Sequence, residues 1–304
     1  MLRDQAVYLA YATGWSAVRR MPERSAYALF DRIADQQWRS RGSGVRRLEA
    51  NLARVLGPVP PEQLREVSRE GVRSYMRYWC DAFRLPGWDA GRIDAFDLRG
   101  LDQAAADLDS GRGVVLALPH AGNWDHAGAM VSARVAPVTT VAERLEPERL
   151  YEAFVGFRTS LGMRILGLGD DGVYERLAQA ASGGGLVALL ADRDLSARGV
   201  DVTFFGERAR FPAGPAALAI DTGAAVRPTV LFRDGDVNAG QVGPPVEVPT
   251  EGDRRSRIAA VTQAIATAFE AGLAAHPTDW HMLQRLWLAD LDPARLAARD
   301  AEGA

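Results

Sequence analysis

The stretch "LALPHAGNWDHAG", residues 116–128, brings two histidines and a carboxylate within seven positions: His120, Asp125 and His126. An imidazole held by a carboxylate on one ring nitrogen keeps a fixed tautomer, and its other nitrogen can take a proton from a substrate hydroxyl. Asn123 is a good N-cap, so Asp125 falls in the first turn of a helix, where a carboxylate can turn back towards His120. Free N–H groups at that helix start would receive a developing oxyanion, and Gly122 would let a substrate approach the backbone closely. No serine or cysteine stands next to His120, which points to direct attack by a substrate hydroxyl rather than a covalent enzyme intermediate. Two other readings fit the same spacing. In one, Asp125 only complements the helix dipole and His120 is a loop histidine. In the other, His120, Asp125 and His126 share a metal, although the two histidines lack the i, i+4 geometry of a helical metal pair.

For any of this chemistry, His120 must sit at an edge where ligands bind. Continuous apolar runs at 114–118, 137–142, 186–190 and 226–232 alternate with candidate helices near 123–134, 147–162, 173–182 and 213–222. That alternation predicts an α/β fold: a mostly parallel sheet covered by helices on both faces. "NAGQVGPPVEVP" is a candidate edge strand, and residues 253–275 a last long helix followed by "WHMLQRLWL". Ligands in open α/β sheets bind at the carboxyl ends of the strands. Polar residues stand at three such exits: His120, then Glu143 and Arg144, then Asp192, Arg193 and Asp194.

Residues 1–95 read as a helical N-terminal part, 96–292 as an α/β core integrated with it, and 293–304 as a tail. Tyr8, Tyr11, Trp15 and Val18 fall at helical spacing, and Val67, Val72, Tyr75, Tyr78, Trp79 and Phe83 form a broad apolar and aromatic face. Cys80 lies in that face as a small buried hydrophobe rather than a nucleophile. Residues 1–54 hold ten arginines and five acids, a net +5, against −3 for the whole chain. A basic helical segment with Trp and Tyr, beside an acidic body, suits an anionic membrane surface, although taken alone it more often marks a solvated helix face packed on the core. No nucleic-acid partner is expected. The N-terminus reads as a mature helix rather than a signal peptide, and no apolar run approaches the ~20 residues of a bilayer span.

All 36 basic residues counted as Lys or Arg are arginines, which excludes Schiff-base and P-loop lysine chemistry. One cysteine excludes a disulfide and fits a reducing compartment. "GLGDDG", Gly167 to Gly172, matches the G-x-G-x-x-G of dinucleotide sites, with Asp192 twenty residues further on. Asp170 and Asp171 would then face a pyrophosphate, so an NAD-dependent enzyme is the competing class of function and an ordinary acidic loop the favoured reading. Arg208 and Arg210 precede the tight Pro212–Pro215 turn, placed either to meet a phosphate or simply to be solvated.

Taken together, these segments resemble a known family. The H-x4-D of His120 and Asp125 is similar to the signature of glycerolipid-type acyltransferases. "ADRDLSARGVDVTFFGERARFPAGPAALAIDTGA" resembles the late acyltransferases of bacterial glycolipids, the lipid A lauroyl/myristoyl type, and the similarity runs from about residue 5 to 290. "RYWCDAFRLP", "VAERLEPERLYEAFVGFRTSLGMRIL" and "WHMLQRLWL" look most like the members that acylate mannosylated phosphatidylinositol. The resemblance implies transfer of a palmitoyl-type chain from acyl-CoA, a co-substrate, to a mannose hydroxyl, with no cofactor and no metal. It implies His120 as base, Asp125 as its orienting partner, and a supporting acid at Asp192 or else Asp194. Glu143 and Arg158 would line the site and pair with each other, with Arg193 and Arg210 also binding substrate. It further implies a peripheral protein at the cytoplasmic face of the inner membrane.

Overall fold

A computed structural model describes residues 11, 13–194 and 199–291 of the chain. Tyr8, residues 195–198 and the tail at 293–304 lie outside the described residues. A helical stretch at 13–20 precedes three long helices, α1 (Glu23–Ser40), α2 (Ser43–Leu56) and α3 (Pro61–Arg84). Their ends follow local chemistry. Pro61 opens α3, where its missing N–H costs nothing, and Gly57 closes α2 with φ +66°, a conformation that a side chain resists. The three pack through Ala34, Leu48, Leu52 and Val72.

After the short helix α4 (Ala90–Asp94), strands and helices alternate: β1 (Asp97–Arg99), α5 (Leu101–Asp109), β2 (Val114–Leu118), α6 (Trp124–Arg134), β3 (Val138–Ala142), α7 (Glu148–Ser160), β4 (Arg164–Gly167), α8 (Val173–Ser182) and β5 (Leu186–Leu190). An antiparallel hairpin, β6 (Val200–Phe204) with β7 (Glu207–Phe211), follows. Then come α9 (Gly214–Thr222), β8 (Ala225–Asp234), β9 (Val237–Val242) and α10 (Arg254–Ala275). The seven-stranded sheet has the order β1-β9-β8-β2-β5-β3-β4. The five strands from β8 to β4 are parallel, β9 runs antiparallel to β8, and β1 is parallel to β9. The fold is the expected α/β sheet with a helical N-terminal part.

Strand β2 is central, and its alternation explains both core faces. Val115 and Ala117 point to the layer of α8, α9 and α10, whereas Val114, Leu116 and Leu118 point to α5 and α6. A strand buried on both faces has no polar alternation, which is why "VVLAL" reads as one apolar run. Helix α10 is long enough to cross a bilayer, and an 18-residue window of it has a mean hydropathy of 1.4. Its Ile258, Val261, Ile265, Phe269 and Leu273 instead form a helical stripe buried in the core.

The Arg208–Arg210 segment, expected to be a loop, is strand β7 of the hairpin. Its sequence does alternate, with buried Ala209 and Phe211 facing the core and Arg208 outside, but three charges in five residues hide that period. "WHMLQRLWL" forms no regular element. It runs as a strap that bridges to the loop after β2 at Ala121–Trp280 and to β7 at Ala209–Trp287.

Candidate active site

His120 leaves β2 at its carboxyl end, two residues past Leu118, and its side chain is 34% exposed. The carboxylate on its ring is Asp192, at the exit of the neighbouring strand β5. His120 Nδ1 lies 2.5 Å from Asp192 Oδ1, and the His120 backbone N–H donates to Asp192 Oδ2 at 2.9 Å. The Trp280 indole N–H donates to the same Oδ2 at 3.0 Å. Asp192 is fully buried. Burial opposes its charge, but the attraction of His120 and these three N–H groups prevail and hold the carboxyl below its ordinary value. An ionised carboxylate only accepts, so His120 carries its proton on Nδ1 and leaves Nε2 able to accept one.

Asp125 does not orient His120, contrary to the expectation from spacing. It sits in the first turn of α6, which Asn123 caps by accepting the His126 N–H at 3.0 Å. There it turns away from the strand exit, into a second buried cluster. Arg158 of α7 donates to Asp125 Oδ1 at 2.6 Å, and the Tyr78 hydroxyl of α3 donates to Asp125 Oδ2 at 2.9 Å. Burial works against the Arg158 charge, but Asp125 and Tyr78 outweigh it and raise the guanidinium above its ordinary value. Burial also raises the Tyr78 phenol, with Asp125 adding to the shift. The expected Glu143–Arg158 pair is therefore absent. Glu143 is exposed at the rim and makes no ion pair among the described residues.

Gly122 also differs from expectation. Its φ is +61°, and a side chain there would meet the Leu231 backbone at 2.5 Å. The glycine lets β8 approach, not a substrate, and its N–H already donates to the Asp279 carbonyl at 2.9 Å. His126 is a structural residue: Arg92 and Ile93 carbonyls stand 3.1 and 2.9 Å from Nε2, and Asn238 Nδ2 stands 3.1 Å from Nδ1. Arg193 stands half-buried beside Asp192. Asp194 is held by its backbone N–H, which donates to the Arg210 carbonyl at 2.8 Å. Arg210 is buried, with Nε donating across the hairpin to Asp201 Oδ1 at 2.6 Å, while its carbonyl ties the hairpin to the loop after β5. In "GLGDDG", Asp170 accepts from Arg144 at 2.7 Å and from the Gly167 N–H at 3.2 Å. The loop follows the outermost strand β4 and closes on itself. Asp192, the acid twenty residues on, is engaged by His120 instead of facing a dinucleotide ribose.

A cavity of about 280 Å³ opens beside His120, on the α6 face of the sheet. Its floor is made by side chains of one strand parity: Leu116 and Leu118 of β2, Val138 and Thr140 of β3, Ala188 of β5, Thr229 and Leu231 of β8. Its roof is Ala127, Gly128 and Val131 of α6 with Phe154 and Val155 of α7. Leu116 to His120 alone spans about 13 Å at the rise of a parallel strand. Leu145 and Leu190, each 37% exposed, stand at the mouth. No single apolar run announces this groove, because strands and helices far apart in sequence each contribute a few residues to it.

A sequence model described as "Bacterial lipid A biosynthesis acyltransferase" matches residues 1–289. The chain belongs to this acyltransferase family. Among curated relatives, a phosphatidylinositol mannoside acyltransferase of Mycolicibacterium smegmatis is 45% identical over 97% of this chain and 96% of its own length. A protein of the same description from Mycobacterium tuberculosis is 46% identical over 95% of this chain and 90% of its own. In this acyltransferase the H-x4-D histidine thus meets its carboxylate from another strand, while the H-x4-D aspartate holds an arginine.

Proposed function

We propose that the protein transfers a long acyl chain, palmitoyl in type, from acyl-CoA to a mannose hydroxyl of phosphatidylinositol mannosides. One observation carries this reading: an apolar groove ends at a histidine whose ring is held by a buried carboxylate. The groove takes the acyl chain and sets its thioester carbonyl beside His120. His120 Nε2 takes the mannose hydroxyl proton as the oxygen attacks that carbonyl. Asp192 stabilises the imidazolium, which then passes its proton to the departing CoA sulfur. The relatives' descriptions support the mannoside acceptor.

No covalent acyl-enzyme is needed. Cys80 is fully buried, and burial, helped by Asp81, pushes its thiol up to about 12. The protein would work as a peripheral protein at the inner membrane face. Exposed Arg24, Arg32 and Arg39 flank exposed Leu29 and Ile33 on α1, which suits an anionic bilayer surface.

Labelled palmitoyl-CoA with a panel of glycolipid acceptors tests the reading. CoA release that rises only with mannosylated phosphatidylinositol supports it. Preference for a lipid A precursor would move the activity to the other substrate class in the family. Liposome binding that ignores both anionic lipid and salt would remove the electrostatic docking.

A further inference from the structure

We propose that Trp280 is a positioning residue for the His120–Asp192 pair, its indole N–H fixing the carboxylate that aims the His120 ring. The inference rests on the acid–base role proposed for that pair. Asp192 accepts three N–H groups, and two of them belong to His120 itself. One of those is the ring being aimed and the other its own backbone N–H, so neither anchors the carboxylate independently of His120. Among the described residues with a side-chain hydrogen bond to Asp192, Trp280 alone lies outside the pair.

The indole is well placed for this. It is fully buried and packs at 6.0 Å, edge to face, against both Phe204 and Trp287. Its backbone belongs to the strap that clasps the His120 loop. The His281 N–H donates to the His120 carbonyl at 2.7 Å, and the Gly122 N–H donates to the Asp279 carbonyl at 2.9 Å. The strap is in turn tethered through Asp279, which accepts the Ser74 hydroxyl at 2.7 Å and the Arg233 N–H at 3.0 Å. The backbone of residues 279–281 and the Trp280 side chain thus hold His120 from both sides, through its carbonyl and through its carboxylate.

Removing the indole donor leaves a buried carboxylate with one hydrogen bond fewer. Its less compensated charge favours the imidazolium, so the base becomes available only at higher pH. The other titratable and charged groups around His120 are Tyr78 from α3, Asp125 from α6, Glu143 beyond β3 and Arg158 from α7. His281 approaches from the strap, and Arg193 and Asp194 follow Asp192 in the chain. None of these changes when Trp280 is replaced.

The test compares Trp280→Phe with replacement of the Trp280 indole by benzothiophene, which keeps the bicyclic shape and has no N–H. Trp287→Phe is the packing control: its fully buried indole N–H donates to the Phe204 carbonyl at 3.1 Å, away from the pair. Activity is read with palmitoyl-CoA and vesicles containing mannosylated phosphatidylinositol, as a function of pH. Both Trp280 variants should lose about tenfold in kcat with little change in KM. The acidic limb of their kcat/KM profile should move up by roughly half a pH unit or more. Trp287→Phe should melt earlier but keep the wild-type limb. If the benzothiophene variant keeps the wild-type kcat and limb while His120→Ala is inactive, Trp280 has no positioning role. If His120→Ala itself remains active, the acid–base reading fails first.

Discussion

Two buried carboxylates stand close to the same cavity, Asp125 lining it and Asp192 behind His120, and their partners set them apart. Asp192 is 0% exposed and faces a histidine; Asp125 is 1% exposed and faces an arginine and a tyrosine. A histidine gains and loses a proton near neutral pH, whereas a guanidinium keeps its charge at any working pH. Proton transfer can therefore run at the first site only. The second is a permanent ion pair that joins α3, α6 and α7 around the groove. Nearly equal burial gives a pair that can exchange a proton in one place and a bracket in the other, and the titratability of the partner decides which.

The sharpest break of this comparison comes at the first site. His120→Ala should lower kcat by roughly three orders of magnitude, since it removes the base outright. Asp192→Asn should cost roughly 10²-fold or more, because the amide can favour the wrong tautomer. For His120→Ala the loss of activity should far exceed the loss of melting temperature, since Asp192 keeps the backbone N–H of residue 120 and the Trp280 N–H. Equal activity of Asp192→Asn and wild type would dissolve the distinction.

At the second site the expected balance reverses. Arg158→Met leaves Asp125 buried with only Tyr78, a defect of about 3–5 kcal/mol in stability. Thermal unfolding should show this as a large drop. The residual kcat/KM of Asp125→Asn should keep the wild-type acidic limb. A shifted limb in that variant would mean that Asp125 acts on His120 after all.

A smaller effect is expected in the groove that both sites border. Val131 lies two helical turns past Trp124, about 10 Å deeper. Val131→Phe should cut kcat/KM for palmitoyl-CoA about tenfold while sparing a much shorter acyl-CoA. Unchanged chain preference would place the acyl chain elsewhere.

The least effect on activity, though not on acid stability, is expected at His281. Burial pushes this histidine down to about 3, with His120 adding to the shift. Between its unfolded value near 6.5 and about 3, the unfolded chain binds a proton that the folded one does not. Stability from this group is thus full above pH 6.5 and is lost as pH falls through that window, by up to about 1.4 kcal/mol per unit. Denaturant unfolding of His281→Gln between pH 4 and 7 should show a flatter slope.

Much of the frame was legible from residue order. The strands at 114–118 and 186–190, and the helix at 173–182, coincide with β2, β5 and α8. Their periods arise from neighbours a few positions apart. His120 at a strand exit was legible for the same reason, as was the Asn123 cap. The hairpin was hidden by its charges, and Tyr78 by an aromatic helix face in which nothing singled out its hydroxyl.

The sequence by itself determined which groups stand at the sheet's carboxyl edge, because strand period and exit depend on local pattern alone. Only the tertiary structure decided which acid meets His120. Asp125 is five residues away but starts a helix that aims it at Arg158. Asp192 is 72 residues away, yet parallel pairing of β2 with β5 places the two exits side by side. Trp280 reaches the same carboxylate from 88 residues further on. Strand order, set by which apolar faces pack together, fixed those neighbours, and no spacing within one segment encodes it.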